Sequence, residues 1–296
     1  MMEVVWTIKH PVVVTARQSI GEAGGKQARA FLVEGRKMVS EALESDAQVE
    51  VLFFLHPIDD PADAAVMQSA QRAGVTCLLV SRGVFFRILG LGYETSARVL
   101  GTVSMPTCAL SEALDLIDED TRILMGERIQ DPRNVGVLIR TADAWGLKTA
   151  IFSEGSAEPY SRPSVRSSTG SIFRVRLAVG YSSTEVLEAL RTRGLRIIGA
   201  SAGASTPCWL ADLSPPCAIV VGNESDGLSD EARELSDMLV CIPMFGGAHS
   251  FNVTVAAGIL LYEATRQREL GRERSGSKAA LKGPALGRAP LPGAAL

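Results

Sequence analysis

Cys241-Ile242-Pro243-Met244-Phe245-Gly246-Gly247-Ala248-His249-Ser250-Phe251-Asn252-Val253-Thr254-Val255-Ala256-Ala257 is the stretch that decides the fold. Residues 238–242 read as a strand, and Pro243 ends it because proline has no N–H to give a ladder. A loop with two glycines follows, and a helix rich in small residues then covers 250–268. Ser250 at its head is fully explained as a helix cap. Asn252 is not, since an amide inside an apolar helix start needs hydrogen-bond partners of its own.

Upstream, Val220-Val221-Gly222-Asn223-Glu224-Ser225-Asp226-Gly227-Leu228 repeats the design. Residues 217–221 are uniformly apolar, as in a strand buried on both faces. The loop after it carries two glycines and a carboxylate. An ordinary turn into a helix capped by Ser229 accounts for it as well as a loop whose N–H and C=O groups hold a small polar ligand. Further back, the segment from Gly126 to Gly146 runs strand, polar loop, helix. Asn134 either caps that helix or orients a ligand at its N-terminus, and Gly136 permits a close approach there. Arg140 lies six residues after Asn134, and alone it reads as a solvated helix arginine.

Strands and helices alternate along the rest of the chain. Strands are expected at 30–34, 49–55, 75–80, 99–103, 123–127, 149–152 and 196–201, and helices at 35–43, 61–73, 81–89, 134–145, 184–193 and 229–235. This predicts a small α/β sandwich over 1–105, a linker over 106–121, a second α/β domain with a parallel sheet over 122–270, and a disordered basic tail over 271–296.

Three signals of moderate strength become specific through their order and spacing. They resemble the motifs of the SpoU/TrmH branch of the SPOUT RNA methyltransferases: N-x-G-x-x-x-R-[TS]-A, then G-x-E-x-x-G-[LI], then I-P-M-x-G-x-x-x-S-[LF]-N-V-[ST]-V-A. The segment from Val165 to Phe173 is similar to the family's R-x-S-x-G stretch, and the segment from Phe31 to Leu43 is similar, less specifically, to its N-terminal RNA-substrate-binding domain. The resemblance implies a trefoil-knotted domain and transfer of a methyl group from S-adenosylmethionine to a ribose 2′-hydroxyl. It implies a catalytic set of Asn134, Arg140, Glu224, Ser250 and Asn252. Cofactor contacts are expected from Ser201, Gly222, Leu228, Ile242, Met244 and Phe251, and RNA contacts from Arg36, Arg133 and Arg166. It also implies a homodimer acting on RNA, ribosomal in preference to transfer RNA. A non-catalytic RNA-binding module with the same fold is the alternative from another class.

Composition is compatible but gives no lead toward RNA. The chain of 296 residues has 30 Lys and Arg against 33 Asp and Glu, a net charge of −3, so phosphates must meet local patches. No run approaches the ~20 apolar residues of a membrane span, and no signal peptide is read. Five cysteines without a CxxC pair read as buried apolar residues of a reducing compartment, and three scattered histidines give no metal spacing. A cytoplasmic, metal-free protein is expected. Gly21-Glu22-Ala23-Gly24-Gly25-Lys26 looks superficially like a P-loop, but its spacing is wrong and Gln27 stands where Ser or Thr is required.

Overall fold

A computed structural model describes residues 3–20, 28–90, 95–106, 108–115 and 117–274. The glycine loop at 21–26 and the tail from 275 onward lie outside the described residues.

The first sheet holds β1 (Val4–Val5), β2 (Ala30–Glu34), β3 (Val49–Leu55), β4 (Thr76–Val80) and β5 (Val99–Ser104), in the order β1-β4-β3-β5-β2. β1, β4 and β3 are parallel, while β5 runs antiparallel to both β3 and β2. Helices α1 (Pro11–Ile20), α2 (Gly35–Leu43), α3 (Pro61–Arg72) and α4 (Arg82–Leu89) cover it. The Asp60 and Ser81 side chains accept backbone N–H groups at the heads of α3 and α4, so polar residues set both helix starts.

The second sheet is wholly parallel. Its strands β6 (Arg122–Gly126), β7 (Thr149–Ser153), β8 (Arg176–Tyr181), β9 (Arg196–Ala200), β10 (Thr206–Pro207), β11 (Cys217–Val221) and β12 (Met238–Cys241) lie in the order β10-β12-β9-β11-β6-β7-β8. Around it pack α5 (Leu110–Leu114), α6 (Pro132–Ala144), α7 (Arg162–Ser168), α8 (Ser183–Thr192), α9 (Asp230–Glu234) and α10 (Val253–Arg274). β11 is buried along its whole length because β9 and β6 flank it on both edges. No described helix is long and apolar enough to cross a membrane.

Several expectations shift. The stretch read as linker contains α5, whose Leu110, Ala113 and Leu114 are buried in the second core. β1, α1, α7, β8 and β10 were not anticipated from sequence. β1 and β10 are two residues each, too short for an alternation to register. Helix α6 begins at Pro132 with Asp131 as its cap, so Asn134 is inside the helix and is not the cap. Helix α10 begins at Val253, where Asn252 Oδ1 accepts the Thr254 N–H at 2.9 Å, so Asn252 takes the capping role expected of Ser250. The same helix extends to Arg274, and Arg272 from the supposed tail pairs with Asp120 and Glu269.

One apolar cluster runs through both halves. Phe31 on β2 packs against Tyr160 and Phe173, with ring centroids at 5.1 and 6.1 Å. Arg162 on α7 forms a nearly buried ion pair with Glu34, and Arg174 bridges Glu41 and Asp143. Helix α7 in turn lies tight against α6: a Cβ on Gly136 would sit 2.2 Å from the Ser164 carbonyl oxygen. Gly136 therefore serves helix packing, not the approach of a ligand. We expect Gly136→Ala to destabilise the protein by about 1–3 kcal/mol through overpacking, read as a lower urea midpoint; an unchanged midpoint would show that α7 yields freely.

Candidate active site

The loops after β9, β11 and β12 leave the same edge of the parallel sheet, the carboxyl ends where open α/β sheets place ligands. They enclose a cleft of about 530 Å³ lined by Ser201, Gly222, Glu224, Ile242, Met244, Ser250, Phe251 and Asn252, among others. That volume suits a nucleotide-sized molecule. The floor is made by the loop after β11, which folds back on itself: Asn223 and Gly227 exchange backbone hydrogen bonds of 3.0 and 2.9 Å. A Cβ on Gly222 would lie 2.3 Å from the Gly227 carbonyl carbon, so only glycine allows this closure. Five of the six expected cofactor residues line the cleft. Leu228 does not: its side chain is buried in the core behind, packed toward Gly199.

Glu224 joins three segments distant in sequence. Its carboxylate accepts the Asn134 Nδ2–H at 2.7 Å, the Gln130 N–H at 3.0 Å and the Asp131 N–H at 3.2 Å. Asn134 Oδ1 in turn accepts from Asn252 Nδ2 at 3.3 Å. Burial by itself raises the Glu224 carboxyl, but the hydrogen bonds from Asn134, Gln130 and Asp131 outweigh it and hold the group below its usual range. Glu224, Asn252 and Ser250 line the cleft, and Asn134 is hydrogen-bonded to the first two.

Arg140 is elsewhere. Six residues along α6 correspond to roughly 9 Å, and Arg140 opens onto a second hollow of about 520 Å³ between α6 and α10. Val137, Trp145, Val255, Ile259 and Tyr262 line that hollow, with Val255 47% and Tyr262 53% exposed. Arg140 itself is exposed and unpartnered among the described residues. Of the three arginines expected to meet RNA, Arg36 is paired with Asp60 and Asp63, and Arg133 with Asp131. Arg166 is exposed and lines a polar cleft of about 340 Å³ between the two halves, together with Arg36 and Arg98.

Sequence reasoning missed two supports. Glu127 is buried and accepts from Ser183 Oγ at 2.8 Å, Ser229 Oγ at 2.6 Å and the Ser229 N–H at 2.9 Å, tying the end of the β11 loop to the end of β6. Asn223 donates to the Arg128 carbonyl at 2.9 Å and accepts the N–H groups of Ser225 and Asp226. The Asn223 turn was legible as an Asx motif. Glu127 gave no signal beyond following an apolar strand.

The SpoU rRNA Methylase family profile matches residues 121–262, and that of the MRM3-like substrate binding domain matches residues 25–90. The chain is 29% identical over 236 residues to the 23S rRNA (guanosine(2553)-2'-O)-methyltransferase RlmP of Bacillus subtilis, covering 80% of this chain and 88% of that one. It is 32% identical over 272 residues to an uncharacterized tRNA/rRNA methyltransferase of Mycolicibacterium smegmatis, covering 88% of this chain and 85% of that one. Among solved structures it resembles the AdoMet-bound rRNA methyltransferase of Sinorhizobium meliloti, with a TM-score of 0.76 at 27% identity over 90% of this chain and 98% of that one.

Glu224→Ala removes an acceptor from three N–H groups, and we expect a loss of about 1–2 kcal/mol at neutral pH. Because the folded carboxyl titrates below its usual range, its contribution is complete above that range and is lost as the pH falls through the lowered value. The difference in urea midpoint between wild type and Glu224→Ala therefore closes in acid; a difference that persists unchanged into strong acid would contradict the clamp.

Proposed function

We infer the reaction from the premise that the chain belongs to the SpoU rRNA Methylase family: it methylates a ribose 2′-hydroxyl of ribosomal RNA, with S-adenosylmethionine as donor. The observation that carries this reading is the meeting of Asn134, Glu224 and Asn252 at the mouth of the cleft. A helix, a loop and a helix head from separate parts of the chain exchange amide and carboxylate hydrogen bonds there, beside a cleft.

The cleft fits the donor. Its glycine floor exposes main-chain groups near Gly222, and Ile242, Met244 and Phe251 offer apolar contact for a purine beside the polar wall of Ser201 and Ser250. When bound, S-adenosylmethionine supplies a methyl group on a sulfonium, open to in-line displacement by the ribose oxygen. The protein's task is to place that oxygen and make its ionisation less costly. Arg140 suits the second part. A guanidinium holds its proton too firmly to serve as a base, but its fixed donors stabilise charge growing on the 2′-oxygen as the proton passes to water. Asn134 and Asn252, oriented by Glu224, hold the ribose side of the cleft. Arg166, in the polar cleft beside the N-terminal half, is placed to meet a phosphate.

Arg140 stands apart from its own chain's Asn134 cluster, on the rim of an exposed apolar hollow. A second copy seated on α6 and α10 would cover Val255, Ile259 and Tyr262 and carry Arg140 toward the partner's cleft. The working unit is then a homodimer. The strand order of the second sheet, with β12 and α10 closing the cleft between earlier loops, supports the trefoil knot of this family. A ribosomal RNA substrate places the enzyme in the cytoplasm.

Incubation with labelled S-adenosylmethionine and total ribosomal or transfer RNA tests the reaction. Alkali-stable label at one ribosomal position is expected; label in transfer RNA alone would move the substrate, and none in either would favour a binding module. Arg140→Ala should lower turnover by roughly 10²–10⁴ with an unchanged melting transition, and a near-wild-type rate would remove Arg140 from the site. Ile259→Asp should give monomers by light scattering and abolish transfer; an active monomer would refute the shared site.

A further inference from the structure

Arg233 is the one cation lining the cleft among the described residues, and the reading just given assigns it nothing. It sits in the last turn of α9, and its side chain folds back beneath the loop after β11. Nε donates to the Leu228 carbonyl at 3.1 Å and Nη1 to Ser201 Oγ at 3.1 Å. The guanidinium therefore straps the β9 loop to the β11 loop, two of the three walls of the cleft. No carboxylate forms an ion pair with it among the described residues. Nη2 lies 3.6 Å from where a Cβ on Gly227 would stand, so the guanidinium runs alongside the turn of the β11 loop.

The position within the sheet gives the cleft a polarity. Ser201 follows β9, on one side of β11, whereas the partners of Glu224 (Gln130, Asp131 and Asn134) follow β6 on the other. With strands ~4.8 Å apart, these ends are separated by roughly 10 Å. The acids Glu224 and Asp226 belong to the β11 loop, with Glu224 turned to the β6 side, and the cation belongs to the β9 side.

A donor bearing a sulfonium and an ammonium gains from the acidic end and loses from an uncompensated arginine. Its remaining oxygen-rich part free of positive charge is the sugar. The amino-acid carboxylate is a poorer match, because its own ammonium would be brought up to the guanidinium. Taking the cleft as the S-adenosylmethionine site, we propose that Arg233 is a further cofactor-binding residue, which directs its spare N–H groups to the sugar hydroxyls of the nucleoside. Ser201, held by the same guanidinium, is its companion on that edge. Arg233 thereby sets the sense in which the donor lies, nucleoside toward β9 and sulfonium toward Asn134.

Equilibrium binding by calorimetry tests this without turnover. The ligands are S-adenosylhomocysteine, 5′-methylthioadenosine, and the 2′,3′-dideoxy form of each. Wild-type binding of S-adenosylhomocysteine verifies the cleft; its absence would strike the cofactor reading itself rather than Arg233. Given that binding, Arg233→Met should weaken both ribose-containing ligands by about tenfold or more, as loss of a charged hydrogen-bond donor does. The dideoxy forms should bind wild type and Arg233→Met alike. Equal losses for ribose and dideoxy ligands would make Arg233 a purely structural strap and overturn the proposal. A loss confined to S-adenosylhomocysteine would assign it to the carboxylate and overturn it too, as would no loss at all. Arg233→Lys, keeping the charge without the planar fork, should fall between wild type and Arg233→Met for the ribose ligands only.

Discussion

The Glu224 carboxylate takes hydrogen bonds from Gln130, Asp131 and Asn134, and through Asn134 it reaches Asn252 at the head of α10. The segment at Asn134 is thereby held against two others that the chain reaches 90 and 118 residues later. The turns at Gln130–Asp131 and at Glu224 are not regular structure, and each would otherwise be free to sample many backbone states. A single ionised group orders them because its two charged oxygens accept three N–H bonds at once, where a neutral amide offers one acceptor oxygen. The closed β11 loop beneath it, possible only with glycine at 222, presents that carboxylate in the right place. The closed loop and the carboxylate together bring the Asn134–Asn252 amide pair to the cleft.

A second constraint links the two halves of the molecule. Helix α7 packs so closely on α6 that Gly136 has no room for a side chain, and the same helix pairs Arg162 with Glu34 of the first sheet. Phe31, Tyr160 and Phe173 continue the apolar core across the joint. The N-terminal sheet is thus fixed relative to α6, the helix that carries both Asn134 and Arg140. A nucleic acid engaging both halves would meet a preset spacing. It would find its positive charge in separate places, because most arginines on these surfaces are already paired with acids in a chain of net charge −3.

Much of this was legible in the sequence, for particular physical reasons. Long strands such as β3 and β11, and helices with polar caps such as α3 and α4, announce themselves through apolar runs and capping residues. The family was legible by resemblance, since three spaced motifs are specific where each alone is not. What failed were features set by tertiary contact. The cap of α6 is Asp131, since the helix starts at Pro132 and leaves Asn134 inside it, and the cap of α10 is Asn252. Leu228 turned into the core once the loop closed, and α5 packed where a linker was expected. Arg233 left no mark in the sequence, because a five-residue helix with one arginine looks like any solvated turn until its partners are seen.

A double-mutant cycle on methyl transfer tests whether Glu224 works by holding Asn134. Rates would be measured for wild type, Asn134→Ala, Glu224→Ala and the double variant with the same RNA. If the carboxylate acts through the amide, the second substitution adds little to the first, and the double variant is about as slow as the slower single one. Independent, multiplying losses would mean that the two residues serve separate functions, and the account of one carboxylate assembling the site would be wrong.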